Sequence, residues 1–384
     1  MTLDEYIRGV TSQLERRVRE LRMRIHRQLP RDYDALAQKC REKLDGVLVD
    51  LRSVRDEYAD VDSQPARLRH LRRTVSDLSQ LETVAVAALD RAREDDHYLN
   101  ELLYRITREI GYPLITPVVT TLSSEYFHIY PDFNLLCVPL SEGKFLLHLP
   151  DLYHELAHPL LVVRDEPLVE SFQRAQDACL AQVLSYLQGE KTKAGRRRSP
   201  DSLSYQIELW ELTWIRSWLD EFMCDLFAVY TLGPAFAWSH LHLSMLRGQD
   251  PFEVPRLQFS SHPADDARMQ TMLVGLAQSG FEQGAGEIEE AWRSFLCSCG
   301  ASAEPEYGHC FPAPLLATIA GATRRGIAGM KCRLAEPSTS DPVHLCLSDA
   351  WREFRRDPSG YPQWEETCVR ERLISNGVGR VIRG

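Results

Sequence analysis

Apolar side chains recur every third or fourth position through the first part of the chain. Leu14, Val18, Leu21 and Ile25 make a short heptad-like stripe, and Leu68, Leu71, Val75 and Leu78 repeat it further on. Such spacing puts one apolar face on a helix. With breaks expected near Pro30 and across Asp62-Ser63-Gln64-Pro65, residues 1–110 read as two or three long antiparallel helices. They form either an arm that binds a protein partner or a bundle packed on the rest of the chain. The rhythm changes after Gly111. Runs at 118–121, 126–130, 135–140 and 145–149 are short and β-like, punctuated by Asn134 and by Ser141-Glu142-Gly143. They predict a small, mostly antiparallel sheet. Helical periodicity returns over 166–188, 203–247 and 263–279. The tail beyond is helical in parts, with Pro305, Pro312, Pro314, Pro337, Pro342, Pro358 and Pro362 forcing loops. The expected class is α+β, mainly α, in three regions: 1–110, 111–280 and 281–384.

Between the last β-like run and the next helix lies His154-Glu155-Leu156-Ala157-His158, which reads HExxH. On a helix, positions i and i+4 share a face one turn apart. Two imidazoles held that way can grip one zinc ion, and the intervening glutamate can take a proton from water there. Pro159 follows directly and removes a helix hydrogen bond, so the helix is expected to kink or stop at His158. A catalytic zinc site usually has a third protein ligand. Glu221 is the candidate, in a run where Leu219, Phe222, Met223, Leu226 and Phe227 mark a buried helix. Asp225 stands at i+4 from it. Two carboxylates in a core are costly without partners. In one reading Glu221 ligates the metal and Asp225 accepts a hydrogen bond from a ligand histidine, fixing its tautomer. In the other they pair with arginines such as Arg216 or line a wet surface.

HExxH followed on a later helix by ExxxD resembles the gluzincin metallopeptidases. Ser261-His262-Pro263-Ala264-Asp265-Asp266-Ala267-Arg268 extends the likeness, being similar to the HPxxxxR segment of gluzincins related to HtpX and the CAAX prenyl endopeptidases. The resemblance covers about residues 150 to 270. It implies a zincin-like catalytic domain, with His262 and Arg268 near the active site and His262 stabilising the tetrahedral intermediate. The same segment also reads as a plain helix start, with Ser260 and Ser261 as caps, Pro263 in the first turn, and Asp265 and Asp266 at the positive end of the helix. His240 and His242 lack metal-binding spacing and read as core or surface histidines.

Charge and composition narrow the remaining classes. The net charge of −10 with no long basic face argues against a nucleic-acid partner. Lys191, Lys193 and Arg196-Arg197-Arg198 read as an exposed loop. No uninterrupted apolar stretch is long enough to span a bilayer, and Met1-Thr2-Leu3-Asp4-Glu5 does not open a signal peptide. A soluble cytoplasmic protein is therefore expected, without membrane contact, and its ten scattered cysteines are expected to be reduced thiols. Cys297, Cys299, His309 and Cys310 are zinc-ligand types whose spacing fits no common zinc ribbon; they read as ordinary buried thiols, with a second metal as the alternative.

The expected activity is that of a zinc metallopeptidase acting on a peptide or protein substrate. Glu155 is the general base, His154, His158 and Glu221 hold Zn2+, and His262 or Arg268 faces the oxyanion. Tyr205 is a further donor candidate without local support. A non-proteolytic zinc amidohydrolase would use the same ligands. An interaction protein with a vestigial metal site is the other alternative.

Overall fold

The computed structural model describes residues 3–25, 29–56, 64–90, 94–123, 126–139, 145–163, 166–195 and 203–368. It is mostly helical, with a small three-stranded sheet, and divides into two compact units. The first takes in residues 1–100 and 117–140, the second 101–116 and 141–384, so the division crosses the chain inside one helix.

In the first unit, α1 (Leu3–Ile25) buries Leu14, Val18, Leu21 and Ile25 against α2 (Asp34–Asp56). The latter buries Leu36, Cys40, Leu44, Val47, Leu51 and Val54 at matching intervals of three and four. This is the expected stripe, and it supplies the common core. The second stripe holds at Leu71 and Leu78, which are buried, and shifts by one residue between them. In α3 (Gln64–Gln80), Val75 is exposed while the neighbouring Thr74 is buried, its hydroxyl returned to the His70 carbonyl. A threonine that satisfies its own oxygen on the preceding turn can occupy a core position that sequence alone gives to valine. Arg67 is also buried; its guanidinium donates to the carbonyls of Val54 at 2.7 Å and Arg55 at 2.9 Å, the unpaired end of α2. A π-helical segment, Leu81–Val86, continues into α4 (Ala87–Asp90), and α5 (Glu94–Ile110) follows.

The sheet is mixed rather than mostly antiparallel. Strand β3 (Leu135–Pro139) lies in the middle, parallel to β1 (Val118–Ser123) and antiparallel to β2 (His128–Tyr130). A one-turn 3-10 helix ending in left-handed Asn134 reverses the chain between β2 and β3. The apolar run at 145–149 is a series of turns instead of a fourth strand, although Leu146, Leu147 and Leu149 are buried. The free edge of β1 is closed by α5. Asn100 donates to the Val119 carbonyl and accepts from its amide, both at 2.8 Å, and Asp96 accepts from the Thr121 amide at 2.8 Å. An edge whose backbone groups are already paired offers nothing to an incoming strand.

The second unit is built around α10 (Leu219–Leu232), buried at every position from Glu221 to Leu232. Around it pack α6 (Asp151–Glu155), α7 (Ala157–Val162), α8 (Glu170–Gly195), α11 (Pro234–Arg247), α12 (Asp265–Gln278) and α15 (Ala313–Gly329). The helices α9 (Leu203–Thr213), α13 (Glu282–Cys299), α14 (Pro305–Cys310), α16 (Pro342–Arg356) and α17 (Tyr361–Cys368) complete the unit. The C-terminal region thus shares a core with the HExxH region: Tyr230 on α10 donates to the Ala320 carbonyl on α15 at 2.9 Å. Helix α8 runs through Lys191 and Lys193, which are therefore helical rather than in a loop; Arg196, Arg197 and Arg198 lie outside the described residues. Among the described residues no helix is long and apolar enough to cross a membrane.

Candidate metal centre

The HExxH residues sit on two short helices rather than one. Pro159 has no amide to give to the Glu155 carbonyl, and the helical hydrogen-bond series lapses at Leu156. The break falls between the two histidines, not at His158 as the proline alone suggests. Both imidazoles nevertheless stay together, with ring centroids 5.1 Å apart. Phe236 of α11 stacks on His154 at 6.0 Å and limits its rotation.

Helices α8 and α9 fill the long interval between His158 and Glu221. A π-helical turn, Trp214–Trp218, then joins α9 to α10. Such a turn holds an extra residue and shifts the phase of everything after it. The buried indoles of Trp214 and Trp218 pack there with Phe222 and Phe311. With that phase, Glu221 and Asp225 both face the histidines. Glu221 Oε2 is 3.5 Å from His154 Nε2, and its Oε1 is 3.9 Å from His158 Nε2. On the other edge of His154, Nδ1 hydrogen-bonds Asp225 Oδ1 at 2.8 Å.

Arg268 secures Asp225. Its Nε and Nη2 donate to the two carboxylate oxygens, each at 2.7 Å. The partner of the buried carboxylate is thus an arginine, but not Arg216, whose guanidinium lies over Phe259. Arg268 reaches α10 because Gly275 lets α12 approach: a Cβ there would stand 3.0 Å from Leu226 and 3.2 Å from Val229. Two of its donors being committed to Asp225, Arg268 acts through that carboxylate, while its Nη2 remains 3.9 Å from Glu221 Oε2.

His262 arrives from the loop before α12, its Nε2 3.8 Å from Glu221 Oε2 and its side chain well exposed. Ser260 and Ser261 do not cap the helix, which begins at Asp265 with no side-chain cap. They hold His262 instead: Ser260 donates to its carbonyl at 2.7 Å, and Ser261 Oγ meets its Nδ1 at 2.9 Å. A cavity of about 320 Å³ opens beside His262, lined also by Arg247, Gln249 and Asp250. A larger one of about 840 Å³ shares Gln249, Asp250, Ser260 and Ser261 with it and extends to Glu304 and Glu306. Neither is lined by His154, His158 or Glu221. Glu155 is buried, and its charge acts on the Cys224 thiol.

The electrostatics are those of a tightly coupled cluster. Burial lowers the affinity of His154 for a proton, but the hydrogen bond to Asp225 and the neighbouring charge of Glu221 outweigh it and raise its pKa to about 10. Burial would raise Asp225; Arg268 and His154 instead hold it well below the usual carboxylate range. Glu221 is brought down to about 2 against its burial, chiefly by His154, with His158 and Arg268 adding to it. In the metal-free protein, then, a proton on His154 neutralises what a cation would neutralise.

Glu221 Oε2 is buried without a hydrogen-bond partner and faces nitrogens of His154, His262 and Arg268 at 3.5–3.9 Å. Donors around tetrahedral zinc stand roughly 3.4 Å apart, since zinc–ligand bonds are about 2.1 Å. The two oxygens of Glu221 stand 3.5 Å from His154 Nε2 and 3.9 Å from His158 Nε2, within about half an ångström of that. The residues therefore fit a zinc ion.

A second donor set competes for the same histidines. Cys224 Sγ is 3.5 Å from His158 Nδ1, and His154, His158 and Cys224 offer ligand atoms within 4.8 Å of one another, a grouping that omits Glu221. Cys224 is fully buried, whereas the His158 and Glu221 side chains retain 25% and 12% of their exposure. A metal that must admit water and substrate needs the open side. Of the two, Glu221 is the donor on the more open side. Cys224 itself, one residue from Asp225, has no recognisable spacing in the sequence; only the helix phase brings it to His158.

Other candidates lie elsewhere. His240 is buried, with Nε2 3.1 Å from the Asp265 carbonyl, and His242 packs against Trp351 and Phe354. Tyr205 is exposed on α9. Cys297 and Cys299 are exposed thiols rather than buried ones; His309 binds Glu190 at 2.9 Å and Cys310 is buried. No metal-capable grouping among the described residues includes these four. No family model, curated protein or solved structure matches the chain.

Proposed function

We propose that the chain is a zinc-dependent metallopeptidase of gluzincin type, with His154, His158 and Glu221 holding the metal. The observation that carries this reading is the buried Glu221 carboxylate, whose partnerless Oε2 and neighbouring Oε1 face the Nε2 atoms of both histidines. Buried carboxylate oxygens in structural ion pairs are mostly hydrogen-bonded. A zinc ion there would polarise a scissile carbonyl and make a water nucleophilic near neutral pH. Glu155 would take the proton of the attacking water and hand it to the departing amine. Asp225, clamped by Arg268, keeps the proton on His154 Nδ1 and leaves Nε2 for the metal. His262, exposed beside a cavity and held by Ser261, is the donor best disposed to meet an oxyanion. The cavity also gives a peptide chain room to lie beside His262.

The test is Glu155→Gln. Hydrolysis of a mixed peptide library should fall by on the order of 10³-fold or more while zinc content stays at the wild-type level. Retained hydrolysis would remove Glu155 as base. Unchanged biological activity without hydrolysis would favour a scaffold whose metal site is vestigial, and cleavage confined to small amides would favour an amidohydrolase.

A further inference from the structure

Asp225 explains the orientation of His154, but nothing assigned so far explains that of His158. Its Nε2 faces Glu221 Oε1, and on a five-membered ring the other nitrogen must then point away from the carboxylate. What lies there is the sulfur of Cys224, 3.5 Å from Nδ1, within the range of a sulfur hydrogen bond. Cys224 lies three residues beyond Glu221 on α10, and so on a neighbouring part of the same helix face. It is fully buried, so water does not compete for the contact.

We infer that Cys224 is a positioning residue for His158, its sulfur accepting the Nδ1–H hydrogen bond and leaving Nε2 for the metal. The inference rests on the metal reading above. It makes the two histidines unequal. His154 leans on a carboxylate fixed by two bonds from Arg268, while His158 leans on a weak, uncharged acceptor. A ligand histidine with a weaker partner is less basic and less firmly held.

The test uses the full-length protein loaded with Co2+, and follows both metal affinity and the visible and near-ultraviolet spectrum of Cys224→Ser and Cys224→Ala. Serine keeps an acceptor and should bind cobalt within a few-fold of wild type. Alanine removes it and should bind about 10- to 100-fold more weakly. Because both substitutions remove the sulfur, rescue by serine separates orientation from packing. The wild-type spectrum should contain no sulfur-to-cobalt charge-transfer band. A strong band lost in both variants would make Cys224 a ligand and overturn the inference, as would an alanine variant that binds like wild type. A wild-type protein that takes up no cobalt would overturn the metal reading itself, which is a different and separately visible result.

Discussion

Two buried arginines, one in each unit, do opposite things with their charge. Arg67 donates to two of the last carbonyls of α2, and those bonds tie one helix to another. Arg268 meets a carboxylate, which holds an imidazole, which in turn faces a second carboxylate with an oxygen left over. The first set of bonds ends on backbone. The second is a relay of alternating charge that ends on an unpaired acceptor. Buried polarity is common to both units; what distinguishes the functional reading is where the bonds run out.

Removing the arginines in turn separates the two roles. Arg268→Leu leaves Asp225 charged and buried, and should cost about 3–5 kcal/mol in denaturant melts of the metal-free protein, with zinc affinity falling as well. Arg67→Leu takes the guanidinium from the Val54 and Arg55 carbonyls, and should cost about 1.5–3 kcal/mol while leaving zinc binding unchanged. Equal losses, or a zinc defect in the Arg67 variant, would dissolve the distinction.

His262 extends the comparison to an exposed member of the site. His262→Ala should leave zinc content and stability at wild-type levels and reduce kcat by about 10²-fold, with KM little changed, because the missing donor acts on developing charge. A fall in zinc content would move His262 from oxyanion donor to ligand.

The smallest effect is a pH signature. Asp225 is held below its ordinary 3.8, so its contribution is present above that value and lost as pH falls further. His154 is raised from 6.5 to about 10, so its contribution is full below 6.5 and lost as pH rises through 10. The metal-free protein should therefore melt at steadily lower temperature above pH 6.5. The zinc-loaded protein needs a neutral imidazole, and its advantage over the metal-free form should widen over the same interval. Parallel melts with zinc and with a chelator, from about pH 5 to about pH 9, check this. A flat metal-free curve would contradict the charged state of His154.

Much of the centre was legible because its residues obey the helix repeat. His154 and His158, and Glu221 and Asp225, are each four apart, and the apolar residues around the second pair mark its burial. The order of Leu14, Val18, Leu21 and Ile25 gave the first helix for the same reason. Burial was legible where conformation was not: residues 145–149 are as apolar as a strand, yet fold as turns ahead of α6. Strand direction in the sheet was not legible either, since alternation says which face is buried and nothing about which neighbour is parallel. Nor did alternation show that the outer edge of β1 would be taken by Asn100 and Asp96. Cys224 and the roles of Ser260 and Ser261 depended on a π turn and on a loop, neither of which has a period to read.

The most direct test is metal content by elemental analysis of the wild-type, His154→Ala and Glu221→Ala proteins, purified without added metal. The account predicts about one zinc per chain in the wild type, lost in both variants. No zinc in the wild type, or zinc that persists in Glu221→Ala, would contradict it.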